Sequence, residues 1–209
     1  MTVICWDVDT QVDFIHHDGA LAVPGAEAIL PRLETLTAWA RRTGAQIVAT
    51  ADDHDIGHAE ITANPDWKTT FPPHCMRDTP GQRRVAATAL VSPLILQPVP
   101  LPAAAVADAV VAHNGEVLLN KPGTDVFRWN PHAATVLSAL RPTRIVVYGV
   151  ATDVCVRAAV DGLARHAPGA ELVIVADAVR AIDAAAGDAL LEEWRKRGCR
   201  ITTTAELTG

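Results

Sequence analysis

The sequence predicts a three-layer α/β/α domain built on a parallel β-sheet. Two observations carry this. Short, near-continuous apolar runs rich in β-branched residues recur along the chain, as in "VICWDVD", "QIVAT", "RIVVYGV" and "ELVIVAD". Between them lie stretches with apolar residues at helical spacing, such as Ile29, Leu33, Leu36 and Ala40, or Val156, Ala159, Val160 and Leu163. Strands apolar on both faces belong in a sheet covered by helices on both sides, and right-handed crossovers then set those strands parallel.

The elements follow in order. "VICWDVD" is a first strand, and "AEAILPRLETLTAWARR" a helix that leads through Gly44 into a second strand, "AQIVAT". "EVLLN" is a short strand, and "PHAATVLSAL" a helix with Ala133, Val136, Leu137 and Leu140 on one face. "RIVVYGV" is a buried strand followed by a further helix. "ELVIVAD", "AAAGDALLEEWRKRG" and "RITTT" continue the alternation. Within the stretch 79–114, "LVSPLILQPVPLP" reads as an excursion at the sheet edge, because proline cannot donate to a strand ladder. "AAAVADAVVAHNG" reads as a short helix.

Composition narrows the function. A chain of 209 residues, 49% hydrophobic and 20% charged, is expected to form one domain over 1–209. A formal net charge of −6 and the lack of a basic stripe argue against a nucleic-acid partner. No apolar run reaches the length of a membrane span. "MTVICWDVD" reads as a strand rather than an export signal. The four cysteines, Cys5, Cys75, Cys155 and Cys199, form no C-x-x-C pair, which suits free thiols in a reducing cytoplasm.

In an open parallel sheet, ligands bind at the edge where the strands' carboxyl ends meet the loops. Four strands deliver chemistry there. Asp9 ends the first, Asp52 and His54 follow the second, Lys121 follows "EVLLN", and Cys155 follows "RIVVYGV". Cys155 would lie in the first turn of a helix, where the helix dipole and a nearby Lys121 ammonium favour the thiolate. Asp9 could accept the thiol proton and return it to a leaving group. Backbone N–H groups of that turn could face an oxyanion. The alternative for Cys155 is a small apolar filler.

A second cluster lies in "ADDHDIGH" and "FPPHC". Asp52 and His54, two apart on extended chain, point the same way. With His74 from the proline-braced loop they suit a divalent metal: Zn²⁺ foremost, with Mn²⁺ or Fe²⁺ as alternatives. His58 is either a further ligand or a residue supporting the ligands. Asp53 and Asp55 would project away into solvent. Phe14, Trp67 and Phe71 are candidate aromatic pocket walls, or else core packing. Cys5, Cys199, Trp39 and Trp194 read as structural, Cys75 as loop filler, and His113, His132 and His166 as surface residues.

These segments resemble the isochorismatase-like cysteine hydrolases, nicotinamidases most closely. "DTQVDF" is similar to the family's D-x-Q-x-D-F opening, "GALAVPGA" to the loop that follows it, and "ATADDHDIGH" to its metal-bearing segment. "FPPHCMRDTPG" resembles the W-P-x-H-C-x-x-x-T-P-G stretch, and "YGVATDVCV" the nucleophile motif G-x-x-T-D-x-C-V. The resemblance implies a six-stranded Rossmann-type parallel sheet, a triad of Asp9, Lys121 and Cys155, and a metal held by Asp52, His54 and His74. It implies a non-proline cis bond at Val150–Ala151 and an oxyanion hole made by the N–H groups of Ala151 and Cys155. It further implies a small-molecule amide substrate, hydrolysis through a thioester, and a homo-oligomer. The sequence departs from the pattern at "PGTDVFRWNP" after Lys121 and at Phe71, where tryptophan is frequent. Rival readings are a related hydrolase acting on a carbamoyl, other amide or isochorismate-type substrate, and a non-catalytic binding protein on the same fold. A flavodoxin-like cofactor domain would need a glycine-rich phosphate loop after the first strand, which the sequence lacks.

Overall fold

The computed structural model describes residues 2–209. In chain order its strands are β1 (Val3–Val8), β2 (Gln46–Asp52), β3 (Leu94–Leu96), β4 (Val117–Lys121), β5 (Arg144–Val150), β6 (Glu171–Arg180) and β7 (Arg200–Thr202). Its helices are α1 (Val12–Ile15), α2 (Leu30–Thr43), α3 (Ala103–His113), α4 (Val126–Trp129), α5 (Ala133–Leu140), α6 (Arg157–His166), α7 (Ala184–Lys196) and α8 (Thr204–Thr208). All strands join one parallel sheet in the order β3-β4-β2-β1-β5-β6-β7.

The α/β class and parallel sheet are as the sequence predicts, with one strand more than the six expected. The addition is β3, three residues inside the proline-rich excursion, which pairs with β4 from Leu94↔Val117 to Leu96↔Leu119. It lies at the sheet edge, where a neighbouring proline costs no ladder bond on the open side.

Alternation along the strands sends side chains into two cores. Ile4, Trp6 and Val8 of β1 pack with Val106 of α3, Val136 of α5, Val160 of α6 and Trp194 of α7. Cys5 of β1, Ile47 of β2 and Tyr148 of β5 pack on the other face with Ile15 of α1 and Leu33 and Leu36 of α2. This is the three-layer arrangement. Local signals set the helix ends. Pro31 stands in the first turn of α2, and Gly44 ends it at φ 73°, donating to the Ala40 carbonyl. Asp183 caps α7, and Thr203 with Glu206 forms a capping box on α8.

The centre of the sheet positions the site. The chain runs from β1 to β2 and β4 on one side and to β5, β6 and β7 on the other, so the crevice between β1 and β5 is a topological switch point. Gly149 lets the two strands approach. At φ 116°, a Cβ there would fall 2.0 Å from the Val8 carbonyl oxygen.

Candidate active site

Asp9 follows β1 in the left-handed region at φ 49°. Asp52 and Lys121 are the last residues of β2 and β4 and are register partners. Cys155 lies in a π-type turn, Thr152–Val156, between β5 and α6. The folded chain brings them together out of water: Asp9 is 0%, Lys121 1%, Asp52 1% and Cys155 7% exposed. The Lys121 ammonium stands 2.9 Å from Asp9 Oδ2 and 3.8 Å from Cys155 Sγ, and it contacts the Asp52 carboxylate. Thr50 donates to Asp9 Oδ1 at 2.5 Å, fixing the carboxylate. Val150–Ala151 is cis, at the position expected.

The electrostatics correct one expectation. Burial pushes the Cys155 thiol well above its ordinary range; Lys121 opposes this, and Asp9 and Asp52 add to it. Loss of water, with the Asp9 and Asp52 charges, therefore outweighs the Lys121 cation that was expected to favour thiolate. Burial also raises Asp9, against Lys121 and with Asp52. For Lys121, burial works against the charge, but Asp52 and Asp9 outweigh it and hold the ammonium well above its usual range. A thiol that keeps its proton, beside a carboxylate of raised proton affinity, is suited to transferring that proton as bonding to carbon begins.

The second cluster forms beside the first. His54 Nε2 and His74 Nε2 lie 3.5 and 3.6 Å from Asp52 Oδ2, and the imidazole centroids are 4.6 Å apart. Ligand atoms of Asp52, His54, Glu60 and His74 all fall within 4.8 Å of one another. The residues fit a divalent cation. His54 is 0% exposed, yet neither ring nitrogen has a hydrogen-bond partner, which is costly for a buried imidazole without a ligand. His74 Nδ1 lies 2.8 Å from the Pro72 carbonyl, which holds the proton there and leaves Nε2 facing Asp52. Burial opposes ionisation of Asp52, but Lys121, His54 and His74 hold its carboxyl below the usual range.

Glu60, and not His58, belongs to that group of close ligand atoms. His58 Nδ1 accepts the Asp55 N–H at 3.0 Å, and its ring stands edge-on to His54 with centroids 5.9 Å apart. Glu60 reaches the cluster because the chain turns back after His58, with Ile61 N–H on the His58 carbonyl at 2.9 Å. Burial and the Asp52 charge raise Glu60 to about 7.

The opening motif also supplies residues whose roles the sequence did not reveal. The Gln11 side chain accepts from Asp52 N at 2.7 Å and donates to Asp52 O and Gln82 O at 2.8 Å, clamping the backbone of the central carboxylate. Asp13 Oδ2 accepts Cys75 N at 2.7 Å, fixing the residue beside His74. Gly81 makes room for this: a Cβ there would lie 2.2 Å from the Asp13 carboxylate.

Cys155 lines a narrow pocket together with Phe14, Val23, Phe71, Val154 and Ile182, and the same pocket reaches Asp52, Glu60 and His74. Phe14 and Phe71 line it and are both buried. Trp67 is not: it is 63% exposed at φ 58°, in a loop organised by Asp66 accepting the N–H groups of Lys68, Thr69 and Thr70. Two further expectations are corrected. Asp53 is buried because Arg77 pairs with it at 2.9 Å. His132 is buried with Nε2 2.8 Å from the Val99 carbonyl. Among the described residues, no helix is long and apolar enough to cross a membrane.

The chain matches the Isochorismatase domain over residues 100–206 and belongs to that family. It is 29% identical to the nicotinamidase/pyrazinamidase of Mycobacterium tuberculosis over 200 residues, 95% of this chain and 97% of that protein. The pyrazinamidase of Pyrococcus horikoshii, solved in complex with zinc, superposes with a TM-score of 0.74 at 28% identity, covering 97% of this chain and 99% of that one. The N-carbamoylsarcosine amidase of Thermoplasma acidophilum shares the fold, with a TM-score of 0.72 at 24% identity over 100% of both chains.

Proposed function

We propose that this protein is a metal-dependent cysteine amidohydrolase acting on a small neutral aromatic amide, with nicotinamide as first candidate, to release the acid and ammonia. The observation that carries the reading is Cys155, beside Lys121 and Asp9, lining an apolar pocket that Asp52, Glu60 and His74 also line. The rest of the lining is apolar and aromatic, from Phe14, Leu21, Val23, Phe71, Val154 and Ile182, which favours a small, flat, largely apolar amide.

Asp9 takes the Cys155 proton as sulfur attacks the amide carbon. The carbonyl electrons move to oxygen, and the resulting oxyanion is received by the backbone N–H groups of Ala151 and Cys155. Asp9 returns the proton to nitrogen, the C–N bond breaks and ammonia leaves a thioester. Water then gives a proton to Asp9 and attacks the thioester. The acid departs, and sulfur regains its proton. Lys121 keeps Asp9 oriented and offsets negative charge during both transfers. Asp52, His54, Glu60 and His74 would hold a divalent cation, Zn²⁺ foremost, which when bound supplies an electrophilic anchor for a substrate lone pair.

The test is ammonia release from nicotinamide by wild type and Cys155→Ala, before and after chelation and metal add-back. Turnover requiring both thiol and metal supports the reading. No turnover by folded, metal-loaded wild type removes nicotinamide and moves the search to other neutral amides. Turnover retained by Cys155→Ala removes the thiol mechanism.

A further inference from the structure

Ile182 is a large apolar side chain left 49% exposed where it lines the Cys155 pocket beside Val150, Ala151 and Val154. The same residue borders a separate surface cleft with Thr152, Arg180 and Leu191. The segment 181–183 is therefore a thin wall between the pocket and the outside.

That wall is pinned to the nucleophile's own turn. Asp153 spends both carboxylate oxygens on it: Oδ1 accepts Ile182 N–H and Oδ2 accepts Asp183 N–H, each at 2.9 Å. Asp183 in turn caps α7 by accepting Ala186 N–H at 3.0 Å. Charge-assisted bonds of this kind hold a backbone segment more firmly than neutral ones. The position of Ile182 relative to Cys155 is set by a short path through Asp153 rather than by the loop alone.

We propose that Ile182 is the specificity-determining lip of the Cys155 pocket, limiting the width of the acyl group admitted, and that Asp153 is the positioning residue locking this lip to the nucleophile turn. The proposal deepens the amidohydrolase reading and rests on it. A half-exposed isoleucine gains by covering a flat apolar group of matching size, and it clashes with a wider one.

The test uses the full chain and two thiol reagents, iodoacetamide and the wider N-phenyl iodoacetamide. With either, sulfur bonds to carbon as iodide leaves, and the thiol proton passes to Asp9 or buffer. Alkylation at Cys155 is followed by peptide mass spectrometry, and the ratio of the two rates is the readout. Wild type is expected to favour the small reagent, and Ile182→Ala to narrow the ratio about tenfold. Asp153→Asn, which keeps shape but can accept only one of the two N–H groups well, is expected to narrow it in the same direction. A loss of packing alone would not produce such size dependence, and circular dichroism of each variant checks the fold.

An unchanged ratio in folded Ile182→Ala overturns the lip. A narrowed ratio there with wild-type behaviour in Asp153→Asn overturns the positioning role. No nicotinamide turnover alongside the expected ratio shift would strike only the substrate reading. An unchanged ratio beside normal turnover would strike only the lip.

Discussion

Lys121 and Asp52 form a buried ion pair that joins the two halves of the site, because the ammonium that faces Cys155 also contacts the central carboxylate of the histidine cluster. Removing one partner of such a pair leaves an uncompensated buried charge. Lys121→Ala is expected to cost about 3–5 kcal/mol in urea-monitored stability as well as turnover. The double variant Lys121→Ala/Asp52→Asn should recover part of that stability and none of the turnover. A single variant as stable as wild type would show that the charge balance is carried elsewhere.

Glu60 and His58 sit two residues apart but face different partners. Glu60→Ala is expected to weaken zinc binding by about tenfold or more, and His58→Ala to leave it within about twofold. Competition against a chromophoric chelator measures both. The reverse ranking would make His58 the ligand and Glu60 the supporting residue.

Zinc affinity should rise with pH. Glu60 is raised to about 7 by burial and the Asp52 charge. His74 is also raised: burial opposes this, but Asp52 and the Pro72 carbonyl outweigh it. Both groups therefore hold protons at pH 6 that the cation must displace. Each displaced proton makes the affinity climb about tenfold per pH unit, and the curve flattens once the groups are already bare. Titrations at pH 6, 7 and 8 check this, and calorimetry in two buffers counts the protons released. A flat profile would show that neither group gives up a proton on binding.

Gly81→Ala should reach the histidine cluster from outside it. The added methyl would displace the Asp13 carboxylate, release Cys75 N–H and loosen the segment carrying His74. The expected outcome is a stability loss of about 1–3 kcal/mol from the orphaned buried N–H, together with weaker zinc binding. Unchanged zinc binding in a destabilised variant would mean that His74 is held by Pro72 and its own packing.

What the sequence disclosed follows from how local each signal is. The central strands were legible because both faces are apolar, and Asp9, Asp52, Lys121 and Cys155 because each terminates or follows such a strand. β3 was obscured because its pairing is a tertiary event within a proline-rich stretch. Glu60 was missed because its approach depends on a turn after His58 that no spacing rule announces. Trp67 misled because an aromatic residue near a site is as readily a loop residue, and the Asp66 turn that carries it outward is visible only once folded. Asp53 and His132 looked solvated, since their partners Arg77 and Val99 are more than twenty residues away in sequence.

The seam between β1 and β5 has a consequence for how the chain acquires its chemistry. Asp9 follows β1 and Asp52 and Lys121 end β2 and β4, whereas Cys155 follows β5, across the seam. During synthesis Cys155 is made after Asp9, Asp52 and Lys121, and until β5 docks against β1 its thiol lacks the burial it has in the folded sheet. A partly assembled chain, or one cut between α5 and β5 with its pieces apart, carries the proposed base, cation and metal-ligand residues without the proposed nucleophile. On the proposed mechanism turnover requires β5 docked against β1, and a fragment pair split at that point would report its own reassembly by regaining it.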